Sequence, residues 1–249
     1  MRVLRKKIRQ GVLKLGYRVD CIRFIPRQML DTSNMARLDF HDAVCRRMVD
    51  TRRSLSFLQI GAFDGITSDP LHRYIREHGW RGILVEPQKR ACEALRRLHA
   101  GNTNIQIINA AVGKESGTAV LYTVQGEGLP VWCGGLASFH TESILKHVSL
   151  VPRLQDAVRT EQVVVVTFSD IFAQRGADQL DLLQIDTEGA DAEILSLFPF
   201  EVLRPAIVHW EIKHLSKKEK EGCLERLLPH GYRFASSGAE DMLAILPKE

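Results

Sequence analysis

The 249-residue chain is 45% hydrophobic and 26% charged, enough apolar sequence to bury one substantial core, which excludes a disordered segment, a collagen-like fibre or a small disulfide-stapled scaffold. Its five cysteines are odd in number and far apart, with no C-x-x-C pair, which points to a reducing compartment, ordinary buried thiols and no structural zinc. The formal net charge is +4, but residues 1–27 carry nine Lys or Arg against Asp20 alone, so the rest of the chain is net acidic and no nucleic-acid partner is expected.

No apolar run approaches the roughly 20 residues of a membrane-spanning helix, and the basic start lacks the uninterrupted apolar stretch of a signal peptide. A cytoplasmic protein is expected. Leu4, Ile8, Val12 and Leu15 recur at helical spacing between basic residues. That pattern suits peripheral contact with an anionic membrane surface, and equally a terminal helix packed on its own domain. Residues 1–53 read as two or three helices, including Met35–Val49, and form an expected N-terminal helical cap on a domain spanning 54–249.

From Ser56 onward short apolar runs alternate with helical patterns, the signature of β-α-β units and a mainly parallel sheet. Strands are expected at Phe57–Ile60, Gly82–Glu86, Ile105–Asn109, Thr118–Val124, Val163–Thr167, Leu182–Asp186 and Ala206–Glu211, with a closing hairpin at Tyr232–Ala235 and Met242–Leu246. Asp69 and Pro70 stand where a helix N-cap and first position belong, Pro87 opens another helix that Gly101 stops, and Ser216 with Glu219 forms a capping box. The fold class is therefore α/β, doubly wound. Residues 125–162 break the alternation, with Gly126, Gly128, Gly134 and Gly135 at the start and a helical segment near Thr141–His147. An insertion this long is expected to act as a lid over the site.

In an open parallel sheet ligands bind beyond the carboxyl ends of the strands. The first strand runs into Gly61-Ala62-Phe63-Asp64-Gly65, whose glycines permit positive φ and a close approach to the backbone. The second ends in Glu86-Pro87, an acid placed to accept hydrogen bonds from ribose hydroxyls. Asn109 and Ala110 follow the third, and Asp186, Glu188 and Asp191 follow the strand Leu182–Asp186. Each has a plainer reading as turn glycine, helix cap or first-turn acid; their joint spacing on successive strand ends argues for a site. The glycine pattern lacks the dinucleotide fingerprint and puts Asp64 in the turn. That acid would repel a pyrophosphate but tolerate the sulfonium and amino group of S-adenosylmethionine.

The runs FLQIGAFDGITSDPL, ILVEP, INAAVG, GLASF, LLQIDTEGADAEIL and AIVHWEI resemble the FkbM family of S-adenosylmethionine-dependent methyltransferases over about residues 56–246. The resemblance implies the Rossmann-like class I methyltransferase fold, a seven-stranded sheet in the order 3-2-1-4-5-7-6 with its last strand antiparallel. It also implies methyl transfer to hydroxyl groups of saccharides or secondary metabolites. On it, the cofactor set comprises Gln59, Gly61, Ala62, Phe63, Asp64, Gly65, Glu86, Pro87, Asn109, Ala110, Ser138 and Asp186. One departure is Gln59, where the family usually carries an acid, so the methionine ammonium falls to Asp64 or Asp186. Candidates to take the acceptor's proton are Asp186, Glu188, His209 and Glu211, the last two sharing one face of a strand. Asp186 and Glu188 holding a divalent ion is the alternative, but they read better as cofactor and helix-turn residues and no metal ligand is assigned. A catalytically silent cofactor-binding scaffold and an NAD-dependent oxidoreductase are the competing functional classes, the latter disfavoured by the glycine spacing.

Overall fold

A computed structural model describes residues 35–175 and 179–247. The basic leader at residues 1–27, with Cys21, lies outside the described residues. Of the expected N-terminal helices one is described, α1 (Phe40–Thr51), capped by the Asp39 carboxylate, which accepts the His41 N–H at 2.8 Å. It starts five residues later than the sequence pattern suggests, because Arg37 is held as an extended bridge to Ser236.

The chain then runs β1 (Ser56–Ile60), α2 (His72–His78), β2 (Arg81–Val85), α3 (Lys89–Leu98), β3 (Ile105–Ile108), β4 (Ala111–Val112), β5 (Gly117–Val124), β6 (Ala137–Ser138), α4 (Thr141–Leu145), β7 (Val158–Val166), α5 (Phe168–Arg175), β8 (Leu182–Ile185), α6 (Asp191–Leu197), β9 (Ile207–Glu211), α7 (Lys217–Leu227), β10 (Arg233–Ser237) and β11 (Asp241–Ile245). Seven strands form one sheet in the order β10-β11-β9-β8-β1-β2-β3. Counted within that sheet alone, this is the expected 3-2-1-4-5-7-6 arrangement. β11 runs antiparallel to both β9 and β10, and the other pairings are parallel. β1 lies inside the sheet between β8 and β2 with all five residues buried, as expected for a strand covered on both faces.

Two of the nine expected strands leave the main sheet. β5 and β7 pair antiparallel along their length, and with β4 and β6 they make a second, four-stranded sheet. Their alternation of exposed and covered residues suits a ribbon with one wet face. β7 begins at Val158, so the irregular insertion ends at residue 157.

Helix ends explain several register differences. The Ser216/Glu219 capping box opens α7 as the sequence indicates. By contrast α2 begins at His72 rather than at Pro70, and α3 at Lys89 rather than at Pro87. Before α3 Glu86, which follows β2, accepts the Phe63 and Gln88 N–H groups, and before α2 Asp69 accepts the Leu71 N–H. One core lies on each face of the sheet. The first gathers Leu58, Ile60, Leu183, Ile185 and Trp210, and the second Phe57, Trp80, Leu84, Leu182 and Leu243. Asp181, 1% exposed at the foot of β8, anchors α1 beneath the second core. Its carboxylate accepts from Arg47 and Arg53, each at 2.7 Å, and from the Ser56 N–H at 2.9 Å. Cys92, Cys133 and Cys223 are buried and Cys45 half-buried, all as free thiols. Among the described residues no helix is long and apolar enough to cross a membrane.

Candidate active site

The carboxyl ends of β1, β2 and β8 converge on one cleft, about 1050 Å³ when its open mouth is included. β1 contributes Gln59, Gly61, Ala62 and Phe63, β2 contributes Glu86 and Pro87, and the β8 end contributes Asp186, Thr187 and Glu188. Trp132, Gly135, Ala137, Ser138 and Phe139 of the insertion close the opposite wall.

The turn after β1 is set by Gly61 and Gly65, at φ +80° and +72°. The approach at Gly61 is the protein's own. A Cβ there would lie 1.7 Å from the Asp186 carbonyl oxygen, so glycine is what lets β1 and β8 leave the sheet side by side. Phe63 also takes a positive φ, +43°, and its ring is capped by Gly134 and Gly135, where a Cβ would sit 3.5 and 3.7 Å away. Those are ordinary van der Waals distances, so the insertion packs directly on the Phe63 ring of the glycine turn.

Glu86 is 3% exposed. Its two carboxylate oxygens accept the N–H groups of Phe63 and Gln88, each at 2.8 Å, leaving lone pairs toward the cleft. Burial pushes its pKa up to about 7 against those donors. A folded-state value above the unfolded one contributes stability that is complete below about pH 4.5 and is lost as pH rises through about 7. The cofactor-free wild type should therefore lose melting temperature relative to Glu86→Gln between pH 5 and pH 8. A parallel pH course for the two proteins would contradict this.

Asp69 was read from the sequence only as a helix cap. Its Oδ1 does accept the Leu71 N–H at 2.7 Å and a 3.3 Å bond from Gln59 Nε2, but its Oδ2 is buried at the cleft wall with no partner. Gln59 Oε1 and Thr187 Oγ1, also on the wall, are orphaned in the same way. Burial raises the Asp69 pKa. Asp186 is pushed up to about 8 by burial and then by Asp191, Glu188, Asp241 and Asp69. Among the described residues four carboxyl groups thus line the cleft, Asp69, Glu86, Asp186 and Glu188, and no Lys, Arg or His does. A cleft so charged is matched by a cationic ligand and mismatched by a pyrophosphate.

Of the site residues expected from sequence, Gln59, Gly61, Ala62, Phe63, Glu86, Pro87, Ala110, Ser138, Asp186 and Glu188 reach the cleft. Five do not. Asp64 spends its carboxylate within its own turn, accepting from the N–H groups of Ile66 and Thr67 and from the Thr67 hydroxyl. Gly65 packs under Leu95 and Leu98. Asn109 donates to the carbonyls of Glu86 and Pro87, both at 2.9 Å, and so fixes the loop that aims Glu86. His209 lies one step down the strand from the cleft. It is 4% exposed, stacked on Phe40 and 2.6 Å from Gln184 Oε1, and burial drives its pKa down to about 3. Glu211 stands behind the wall, pushed up to about 9 by burial and then by Asp186, Glu188 and Asp191. His209 and Glu211 alternate with Trp210 along β9 and so share a face, which Phe40 of α1 covers at His209.

The orphaned buried oxygens and the all-acid wall fit a ligand with an ammonium, a sulfonium and a ribose diol. Asp69 Oδ2 and Gln59 Oε1 offer acceptors for the ammonium, and Glu86 offers them for the diol.

In comparisons with known proteins, the family described as Methyltransferase FkbM domain matches residues 59–248. No curated protein matches significantly. Among solved structures, the methyltransferase FkbM from Methylobacillus flagellatus KT is similar at 13% identity and a TM-score of 0.42, over 77% of this chain and 43% of that one. Aeropyrum pernix fibrillarin, in complex with natively bound S-adenosyl-L-methionine, is 12% identical with a TM-score of 0.42, over 78% of this chain and 67% of that one. The ribosomal protein L11 methylase from Lactobacillus delbrueckii subsp. bulgaricus is 14% identical with a TM-score of 0.41, over 83% and 76% of the two chains.

Proposed function

The chain belongs to the FkbM methyltransferase family and uses S-adenosylmethionine, and from that premise we propose that it methylates a hydroxyl oxygen of a saccharide or secondary metabolite. The observation that carries the reading is the cleft wall, four carboxyl groups and, among the described residues, not one basic side chain. It accommodates the cationic donor and leaves a carboxylate free for a hydroxyl proton.

When bound, the cofactor supplies a methyl group on a positively charged sulfur. Glu86 accepts the ribose hydroxyls, already oriented by the Phe63 and Gln88 N–H groups. Asp69 Oδ2, with Gln59 beside it, accepts from the ammonium and so takes the place expected for Asp64. The Asp186 carboxylate, which lines the cleft, would take the hydroxyl proton as that oxygen accepts the methyl group. Trp132 and Phe139 exclude water on the acceptor side. Holding nucleophile, methyl and sulfur in line is the larger part of such catalysis.

Loss of the Glu86 carboxylate removes two charge-assisted hydrogen bonds, so Glu86→Ala should weaken cofactor binding by about 2 to 4 kcal/mol. Calorimetric titration checks this, and unchanged affinity would place the ribose elsewhere. The acceptor class is tested by transferring a labelled methyl group into a panel of saccharides and hydroxylated natural products and locating the label by mass spectrometry. Label on oxygen supports the reading; label on nitrogen, or only in RNA or protein, overturns it.

A further inference from the structure

At the mouth of the cleft three side chains from separate elements meet: His147 in the turn after α4 of the insertion, Glu188 in the turn after β8, and His214 in the turn after β9. One ligand atom from each lies within 4.8 Å of the other two. The His214 Nε2 to Glu188 Oε2 distance is 3.2 Å, while two ligands of one tetrahedral zinc ion, at about 2.0 to 2.2 Å from the metal, stand roughly 3.3 Å apart. The two imidazole rings are edge to face at 5.5 Å.

Three further observations mark this cluster as more than a surface ion pair. His147 Nε2 is buried and has no hydrogen-bond partner. Glu211 Oε2, also buried without a hydrogen-bond partner, lies 3.8 Å from the same His214 nitrogen and is available as a fourth oxygen. Glu188 sits at φ +56°, a left-handed conformation unusual for a side-chain-bearing residue, and is followed by Gly189 at φ +116°. Strain of that kind persists where neighbouring structure fixes a side chain for a purpose. Further acids, Asp186, Asp191 and Asp241, stand around the cluster, with Lys213 drawn off to Glu240.

We propose that His147, Glu188 and His214 bind a first-row divalent transition-metal ion that fastens the 125–157 insertion to the catalytic core. Two imidazoles and one carboxylate suit zinc, iron, cobalt or nickel; magnesium and calcium prefer oxygen alone. The insertion already rests on this turn, since a Cβ at Gly189 would stand 3.7 Å from His214 and 3.8 Å from the Ser143 hydroxyl. The ion would therefore close the wall that carries Trp132 and Phe139. The site is independent of which acceptor is methylated, and its test requires no turnover.

The full chain, stripped with a chelator, is titrated with zinc chloride, and its melting temperature is followed with and without metal. Wild type should bind one zinc in the micromolar range or tighter, and melt about 5 to 10 °C higher at a hundredfold excess over Kd. Magnesium should give no such shift. His147→Ala and His214→Ala should each lose at least a hundredfold in affinity, while His140→Ala, an exposed histidine outside the cluster, should bind as wild type. Cobalt should give visible absorption bands in wild type that the two cluster variants lack. If His214→Ala does not fold, His147→Ala decides alone. Zinc affinity unchanged in His147→Ala, or no binding by wild type in the micromolar range, overturns the proposal. Should zinc bind as expected while no hydroxyl is methylated, the metal site stands and the acceptor reading fails.

Discussion

Asp186→Asn should lower kcat by about 10² to 10⁴-fold, the range typical of losing a positioned base, while the protein melts at an unchanged or higher temperature. The direction of the stability effect follows from the surroundings. Burial first, and then Asp191, Glu188, Asp241 and Asp69, push Asp186 up to about 8. An uncharged side chain of the same shape relieves that repulsion in the cofactor-free state. A cationic ligand does the same when it binds, which couples the wall's charge to affinity. Steady-state kinetics and thermal melting of the same preparation check both halves. Turnover within tenfold of wild type removes Asp186 from the proton's path, and an unfolded variant means its carboxylate is structural.

Gly61→Ala should destabilise the fold by more than about 4 kcal/mol, a loss reached by few single substitutions. Two effects act together. Cβ would stand 1.7 Å from the Asp186 carbonyl oxygen, a backbone atom of the neighbouring central strand that cannot rotate away. The φ of +80° adds the strain of a left-handed L-residue. Gly101→Ala is the contrast. Its φ is also +80°, but nothing lies within 4 Å of the added carbon, so only the conformational part remains, roughly 1 to 2 kcal/mol. Denaturant unfolding of the pair separates contact from conformation. A cooperatively folded Gly61→Ala protein close to wild-type stability would mean that β1 and β8 can move apart.

The main sheet was legible because its strands are short apolar runs bounded by turn signals, and because β1 and β8 are buried on both faces. Ser216 and Glu219 were legible for a local reason: a capping box is complete within four residues. Departures appear where long-range contacts decide. β5 and β7 read as ordinary members of the alternation, yet they pair with each other, and nothing in either strand alone indicates which partner it takes. Asp69 was assigned to its helix because Asp-Pro signals an N-cap; the structure starts α2 at His72 and leaves Oδ2 unpartnered at the cleft wall. The same limit hid the pairing of His147 with Glu188 and His214, which are far apart in sequence and joined only when the insertion folds back. Asp64 and His209 stay off the cleft lining for opposite reasons. Asp64 is consumed by its own turn, and His209 is in line with the site but one strand position too deep, under Phe40.

A cleft lined by four carboxyl groups should select the sulfonium cofactor over phosphate-bearing ones. Calorimetric titration of the full chain with S-adenosylmethionine and, separately, with NAD tests it most directly. One S-adenosylmethionine per chain at micromolar-range affinity, weakened in Glu86→Ala and with no heat from NAD, is the predicted result. Binding of NAD without binding of S-adenosylmethionine would contradict it.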